Sequence, residues 1–328
     1  MTDLPSYVEN KNDYAKFSPL LVSNSKGHPR MRVGVTLELW LLDGWTDEKR
    51  NASLTVLQEY CELFEGQVDS YMINDDTQPR IMHNRFIDDF KNALQDCNTK
   101  KNFSFVVNNS KERVPLHQVS TVLVASGRRK RKPLSRFRVQ FDPAWVAKDP
   151  EAFVSLATSW CSTLRPVHGT VGLAPIIWGG MDVDFPELYV PFLKRFPGLD
   201  FNNAAFGLLA KTSRHIKAVN WLTVIDNQWV IELGGSDWLA KSFSDQVTLH
   251  DFGAGFLIQA GAEPQVGDMN SHIWPQEYIE VNRMLKPIRF EGYEQRGLFA
   301  VESPMEELDE TMSWIRRFDR EDDNAPFF

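Results

Sequence analysis

The chain has 328 residues, 42% apolar and 24% charged, which is the composition of a folded globular protein and excludes a disordered, collagen-like or coiled-coil chain. Its 36 Lys and Arg against 44 Asp and Glu give a formal net charge of −8, whereas a nucleic-acid binder would usually show a basic surface. No run of about 18 apolar residues is present, so the sequence predicts no transmembrane helix.

The first predicted elements follow a polar lead-in, residues 1–30, which has no periodicity and is expected to be loosely ordered. Residues 31–40, MRVGVTLELW, alternate apolar and polar side chains, and this alternation predicts a strand with one buried face. Apolar residues then recur at spacings of three and four, which predicts a helix over 52–64 with Asn51 as its N-cap and Gly66 after its end.

A β-hairpin is predicted in the middle of the chain, after a helix over 83–97 and a strand over 103–107. Its strands cover 119–125 and 134–141 and flank a strongly basic tip. In the second strand the aromatic and aliphatic side chains share one face, so we expect that face to be buried.

A capped helix follows the hairpin. Proline suits the first position of a helix and aspartate suits the position before it, so Pro150 and Asp149 predict its start. The order strand, helix, short strand thus occurs at 31–73 and again at 134–173. This repetition predicts two related αβ halves.

The last third of the chain predicts two strands over 219–225 and 228–235 as an antiparallel pair, then a strand within 256–268. Helices are predicted over 276–285 and 304–318. No low-complexity linker interrupts these elements, so we expect one domain.

The predicted fold class is α/β (α+β), with mixed, largely antiparallel sheets and packed helices. The domain is expected to span residues 31–318, followed by an acidic tail over 319–328. Its last helix would begin with a capping box, in which Ser303 and Glu306 satisfy the first backbone N–H groups.

Motifs for catalysis and cofactor binding are absent from the sequence: there is no P-loop, dinucleotide fingerprint, HExxH, CxxC or GxSxG. The segment FGAGF (252–256) lacks a third glycine and precedes an apolar strand, so it predicts a turn. We therefore expect no cofactor.

Histidines are scattered at positions 28, 83, 117, 168, 215, 250 and 272, and none has the spacing of a metal site. The nearest approach combines His250, Asp251, Asp268 and His272, which a fold could bring together as ligands, although loop hydrogen bonds are the commoner role. His168 is expected to tie down loop backbone at a strand entry, with a catalytic base as the alternative. We expect no metal ion.

Two features predict a cytoplasmic protein. The first residues, MTDLPSYVENKNDYAKF, have neither the basic start nor the apolar stretch of an export signal. The three cysteines, Cys61, Cys97 and Cys161, lie far apart, and an odd count cannot close a full disulfide framework. Buried free thiols are the expected state.

The basic tip, Arg128 to Lys132, has three interpretations. A solvated hairpin tip is the simplest. A contact for an acidic partner surface is the second, and a nucleic-acid patch or localisation signal is the third, although no aromatic residue interrupts the tract to stack bases. Without the seven basic residues of this hairpin, the chain keeps 29 basic against 44 acidic residues. The rest of the body is therefore strongly acidic.

Trp178 stands out among the ten tryptophans, because it lies in a turn-like stretch beside Asp182, Asp184 and Glu187. An aromatic side chain flanked by carboxylates is typical of a contact for a basic partner. The alternative is a loop tryptophan that covers the edge of the core. We predict these four residues as a partner-binding segment.

Six segments in the second half of the chain, matched in order and spacing, resemble the type VI immunity family of bacteria. They are RPVHGTVGLAPIIWGG (165–180), RFPGLDF (195–201), IKAVNWLTVI (216–225), IELGG (231–235), FLIQAGAEPQVGD (256–268) and MLKPIRF (284–290). By implication the family domain would reach back to about residue 30.

The resemblance implies a non-enzymatic immunity protein that binds a cognate type VI secretion system toxin and blocks it. For cytoplasmic members the implied toxin is commonly a nuclease, and neither membrane binding nor direct nucleic-acid binding is expected. The family carries no catalytic residues to transfer. The alternative from another class is a small cytoplasmic hydrolase that uses His168 or His250 with nearby carboxylates. The sequence leaves the oligomeric state open.

Overall fold

One β-sheet organises the protein. The structure is a computed structural model that describes residues 13–18, 20–126, 134–177, 186–202, 206, 214–293, 297–299 and 306–320. Within these residues eleven strands form a single sheet in which all neighbouring strands are antiparallel. The predicted α/β (α+β) class with largely antiparallel strands is confirmed.

The strands, in chain order, are Leu21–Ser23 (β1), Pro29–Leu41 (β2), Ser70–Ile73 (β3), Arg80–Ile81 (β4), Phe103–Asn108 (β5), Gln118–Leu123 (β6), Ser135–Phe141 (β7), His168–Ile177 (β8), Leu222–Asp226 (β9), Val247–Asp251 (β10) and Gly255–Ala260 (β11). Across the sheet their order is β10-β11-β9-β8-β2-β7-β6-β5-β3-β4, and β1 pairs with β2. The predicted hairpin is confirmed as β6 and β7.

The described residues form nine α-helices: Asp47–Leu63 (α1), Phe86–Gln95 (α2), Pro143–Val146 (α3), Pro150–Leu164 (α4), Pro186–Arg195 (α5), Asn227–Glu232 (α6), Ser236–Ser242 (α7), Gln276–Leu285 (α8) and Glu307–Ile315 (α9). The prediction over 276–285 matches α8 at both ends. Not one of these nine helices combines the length and the apolar character needed to cross a membrane.

Strand β2 lies at the centre of the sheet, between β7 and β8. The prediction of a strand is confirmed, but the prediction of one buried face is wrong, because Thr36, Glu38 and Trp40 on the other face are also buried. The polar residues on that face signalled exposure in the sequence. In the structure later segments of the chain cover this face and supply hydrogen-bond partners for Thr36 and Glu38.

Helices α1 and α4 pack together against one face of the sheet. Tyr60 of α1 and Trp160 of α4 both contact the Phe141 ring of β7, with ring centroids 5.9 Å apart in each pair. Phe137 and Val139 of the same strand are also buried. This confirms the predicted buried face of β7 and places the core between these two helices and the sheet.

Side-chain caps set the starts of these two helices. The predicted cap of α4 is confirmed, since the Asp149 carboxylate accepts a hydrogen bond from the backbone N–H of Ala152 at 2.9 Å. The predicted cap of α1 is wrong: Thr46 caps the helix, and Asn51 lies inside it. Gly66 follows the end of α1 with φ +77°, a left-handed conformation that glycine adopts without strain.

Residues 228–235 do not form the predicted strand, because residues Asn227–Glu232 are the short helix α6. Asp226 is the last residue of β9, and its carboxylate caps α6 by accepting a hydrogen bond from the backbone N–H of Trp229 at 3.1 Å. The antiparallel partner of β9 is β11 instead. Aromatic and β-branched residues favoured a strand in the sequence, and the cap outweighs them here.

Helix α9 begins later than predicted. It starts at Glu307, and Glu306 precedes it without a side-chain capping bond. The predicted capping box is therefore wrong, since it needs Glu306 within the first turn; Ser303 lies outside the described residues.

The two predicted strand–helix–strand units both appear in the sheet. β2 and β3 run parallel, with three strands between them, and β7 and β8 run parallel on either side of β2. A common origin of the two halves stays a prediction.

Both ends of the described chain pack onto this body. Within residues 1–30, a 3-10 helix over Asp13–Phe17 buries Tyr14 and Phe17. At the other end the Asp319 carboxylate accepts from Arg289 at 2.7 Å and from Asn282 at 2.9 Å. Arg289 itself is buried, with 1% of its side chain exposed.

Asp319 predicts an acid-sensitive contribution to stability. Burial raises its pKa, but Arg289 and Asn282 outweigh burial and lower the pKa from 3.8 to about 2. A lowered pKa gives stability that is present above pH 3.8 and is lost as the pH falls through about 2. Asp319→Asn should therefore cost about 2 kcal/mol at pH 7, measured by urea unfolding.

The difference between Asp319→Asn and the unchanged protein should shrink between pH 4 and pH 2. Asp75→Asn, at an exposed turn carboxylate, is the control and should change stability by less than about 0.5 kcal/mol. A cost for Asp319→Asn that does not change with pH would contradict the assigned role of its charge.

Candidate partner-binding surfaces

Of the four residues in the predicted partner-binding segment, the structure describes Glu187. It is exposed in the first turn of α5. Trp178, Asp182 and Asp184 lie outside the described residues, as does the basic tip from Arg128 to Lys132. The grouping of the four predicted residues around one contact stays a prediction.

An apolar cleft of about 340 Å³ lies beside α5. Its lining includes Leu193 of α5, Trp274, and Trp314 of α9. At its rim the Lys194 ammonium and the Glu310 carboxylate pair at 2.7 Å. Polar side chains also line the cleft, among them Ser313 and Arg317.

Three charged side chains meet in the interior on the face of the sheet opposite α1 and α4. Lys217 Nζ lies 2.8 Å from Glu38 Oε2 and 3.1 Å from Asp200 Oδ1. Each of the three side chains is at most 1% exposed. The ammonium also donates to the Phe201 carbonyl at 2.8 Å. We call Glu38, Asp200 and Lys217 the buried ion cluster.

Further partners satisfy the two carboxylates of the buried ion cluster. Arg136 Nε donates to Glu38 Oε1 at 2.7 Å, and Thr170 Oγ1 donates to Asp200 Oδ2 at 2.5 Å. Burial raises the pKa of Glu38, but Lys217 and Arg136 outweigh burial, so its pKa is lowered. Glu38 is therefore ionised at neutral pH. The cluster fastens the residues around 200 and 217 to the central strand.

The buried ion cluster was not predicted from the sequence, although each of its members stands out locally. Glu38 interrupts the apolar alternation of MRVGVTLELW, Asp200 ends PGLD, and Lys217 stands in IKAVNWL. A charged residue inside an apolar segment needs a buried partner. The signal shows that a partner exists and does not show which residue it is.

His168 occupies a structural position in the core. His168 is the first residue of β8 and is buried between the rings of Trp40 and Phe206, with centroid distances of 6.2 and 5.4 Å. Burial, together with the charge of Lys217 nearby, lowers the pKa of His168 to about 3, so its imidazole is neutral.

Two of the possible metal ligands, His250 and Asp268, contact different residues in the structure. His250 contacts the Gln259 side chain at 2.8 Å, while Asp268 pairs with Arg195 at 3.1 Å. Across the described part of the chain, no three His, Cys, Asp or Glu side chains are grouped to hold a metal ion.

The three cysteines are free and buried, as the sequence predicted. Burial raises the pKa of Cys61 to about 12 and raises that of Cys161 far above its ordinary value. A thiol that stays protonated at neutral pH is a poor nucleophile. These residues therefore fill the core.

Exposed apolar side chains are a further feature that the sequence did not identify. Ile231 of α6 is 75% exposed and Trp238 of α7 is 48% exposed. Sequence analysis placed Ile231 in a strand, where it would have been expected to pack. Such a pair marks a surface that is suited to contact another molecule.

The sequence pattern of a protein family described as type VI immunity for VRR-NUC (TsiV) matches residues 54–318. The chain belongs to this family. The match extends well beyond the segments at 165–290 and confirms the resemblance that they predicted. Membership of the TsiV family supports an immunity role for this chain.

A solved structure of similar fold is that of the Pseudomonas aeruginosa T6SS protein PA0821. It superimposes with a TM-score of 0.78, covering 93% of this chain and 89% of that one, at 21% sequence identity. At this identity the likeness concerns the fold. No curated protein sequence matches the chain.

Proposed function

We propose that this chain is an immunity protein that binds a cognate nuclease toxin of the type VI secretion system and neutralises it in the cytoplasm. The observation that carries the proposal is the TsiV family match over residues 54–318. The description of that family names VRR-NUC as the target of immunity, and that name denotes a nuclease. Binding, without catalysis by this chain, is the proposed mechanism.

Charge supports a nuclease as the partner. The chain has a net charge of −8, whereas a nuclease must hold phosphate groups with Lys and Arg side chains. Opposite charges on two partners accelerate their encounter and help to fix their orientation. We infer that the immunity protein covers the basic substrate cleft and so blocks access of the nucleic acid.

Trp178 with Asp182, Asp184 and Glu187 is proposed as one contact to that cleft. Reversal of the three charges, Asp182→Lys with Asp184→Lys and Glu187→Lys, should weaken binding about tenfold or more at low salt. The matched control is a triple Lys variant of Glu65, Asp75 and Glu151, which are exposed carboxylates on other elements. Equal binding by the two triple variants would exclude a specific electrostatic role for this segment.

The proposed function is tested by co-expression of this chain with the nuclease encoded by the neighbouring gene. We expect the two chains to co-purify, and we expect nuclease activity to fall linearly until a fixed stoichiometry is reached. Affinity should decrease between 50 and 200 mM salt, because screening weakens attraction between exposed charges (roughly a 10 Å Debye length at 0.1 M).

Protection by catalytic amounts of the chain, without a stable complex, would refute this proposal and support the hydrolase alternative. His168→Ala and His250→Ala would then abolish protection, whereas a binding inhibitor should tolerate His250→Ala. Unchanged affinity at all salt concentrations would refute the electrostatic part alone.

A further inference from the structure

The turn between α6 and α7 presents an apolar surface to solvent. Ile231 lies in the last turn of α6 and Trp238 in the first half of α7. They are 75% and 48% exposed, while Val230 and Leu239 beside them in the chain are buried. The buried neighbours anchor both helices, so the two exposed side chains project from a fixed base. We call Ile231, Trp238 and the residues between them the α6–α7 surface.

Two glycines fix the geometry of this surface. Gly234 and Gly235 have φ of +106° and +93°, and their N–H groups donate to the carbonyls of Ile231 at 3.1 Å and Val230 at 2.8 Å. The indole of Trp238 lies over Gly234, since a Cβ added there would stand 3.2 Å from the ring. A larger residue at 234 would displace the ring. The tryptophan is therefore held in place before any partner arrives.

The chain segment that holds the α6–α7 surface carries mostly negative charges. Residues 227–251 carry four exposed carboxylates, from Glu232, Asp237, Asp245 and Asp251, against one exposed lysine, Lys241. Glu232 and Asp237 are the immediate neighbours of Ile231 and Trp238 in the chain. An exposed aromatic side chain bordered by carboxylates is the same arrangement that the sequence predicts at Trp178.

Ile81 is an exposed apolar side chain that lacks this combination. Ile81 of β4 is 68% exposed, close to the value for Ile231, but its chain neighbour is Arg80, whose guanidinium pairs with Asp76 at 2.7 Å. A basic partner would meet a guanidinium already paired with a carboxylate beside Ile81 and the exposed carboxylate of Glu232 beside Ile231. Charge thus distinguishes two surfaces of similar apolar exposure.

We propose that the α6–α7 surface docks onto the basic, phosphate-binding cleft of the nuclease partner, with Trp238 as the central anchor and Glu232 and Asp237 as the charged rim. This inference rests on the proposed function and adds a second contact to the one proposed around Trp178. A rigid aromatic anchor loses little conformational entropy on binding, so a large part of the binding energy can come from one side chain.

The test measures the affinity of the full-length chain for the nuclease encoded by the neighbouring gene, by biolayer interferometry. Trp238→Ala should weaken binding about 30-fold or more, and Ile231→Ser and Asp237→Lys about tenfold each. Asp237→Lys should act mainly through the association rate and should lose its effect at high salt.

Matched controls exist for two of these changes. Ile81→Ser removes an isoleucine of similar exposure, and Glu151→Lys reverses a charge at the same position of a helix, the second residue after the cap. Both should bind within about twofold of the unchanged chain. Thermal unfolding of each variant checks that the fold is kept, and hydrogen exchange of the unchanged complex should show protection at residues 231–242.

The possible outcomes separate this inference from the proposed function. If the unchanged chain does not bind the nuclease, the proposed function is refuted. If it binds, but Trp238→Ala matches Ile81→Ser and residues 231–242 gain no protection, the docking face is refuted and the function stands. If Trp238→Ala abolishes self-association of this chain and leaves nuclease binding unchanged, the surface joins two copies and the inference is overturned.

Discussion

Replacement of Lys217 by methionine should lower the free energy of unfolding by about 3–5 kcal/mol at pH 7. The side chain keeps its length and its apolar contacts, but the ammonium that bridges Glu38 and Asp200 is lost. Glu38 then keeps its contact with Arg136, whereas Asp200 loses the ammonium that pairs with it at 3.1 Å. An uncompensated buried charge is costly, because the interior cannot replace the water that it has lost.

The pH dependence identifies the cause of that loss. In the unchanged protein the pKa of Glu38 is lowered, so its ionised form contributes stability above the ordinary value of 4.5, and this contribution is lost as the pH falls. Without Lys217 the dominant influence is burial, which raises the pKa. The stability difference between the two proteins should therefore be largest near neutral pH and narrow toward pH 4.5, as measured by urea unfolding.

Lys194→Met is the matched control, because Lys194 pairs with Glu310 at 2.7 Å but is 54% exposed. It should cost less than about 1 kcal/mol. Similar losses for the two lysine variants, or a loss for Lys217→Met that does not change with pH, would show that the buried ion cluster has no special importance for stability.

Replacement of Arg50 by lysine should cost about 2–4 kcal/mol, although it keeps the charge. The Arg50 guanidinium is buried and donates to three backbone carbonyls beyond α2, those of Cys97 at 2.6 Å, Lys101 at 2.9 Å and Asn98 at 3.2 Å. An ammonium group has no planar fork and cannot reach all three acceptors. A buried carbonyl left without a donor lowers the free energy of unfolding, and the Cys97 carbonyl is the one most exposed to this loss.

Local hydrogen exchange separates this effect from general destabilisation. The amides of residues 96–102 should exchange faster in Arg50→Lys, while those of α4 should change only by the global loss of stability. Arg85→Lys is the control: Arg85 is 83% exposed and bonds Asp88 at 2.8 Å, so its replacement should stay within about 0.5 kcal/mol. Normal exchange at 96–102 would refute the role of Arg50.

Elements with a strong local pattern were predictable from the sequence. The β6–β7 hairpin, the helix at 276–285 and the cap at Asp149 all depend on neighbours in the chain, and all are confirmed. Helix α6 was mistaken for a strand, because six residues are too few to show helical periodicity. The fold class followed from the reliable elements.

Features that depend on contacts between distant residues could not be predicted from the sequence. Glu38, Asp200 and Lys217 are paired by the fold, and no local spacing relates them. The burial of both faces of β2 depends on the chain segments that cover its second face. Exposure of Ile231 and Trp238 is likewise a property of the folded surface, so a binding face of this kind cannot be read from composition.

The central position of β2 has a consequence for the synthesis of the protein. Its residues leave the ribosome well before their partners: Val35 pairs with Phe141, Met31 with Ile177, and Glu38 and Lys217 are 179 positions apart. Such high contact order slows folding and leaves an apolar strand unpaired during translation. We expect the chain to protect a cell only after most of it has been made, so a lag would separate the start of translation from the onset of immunity.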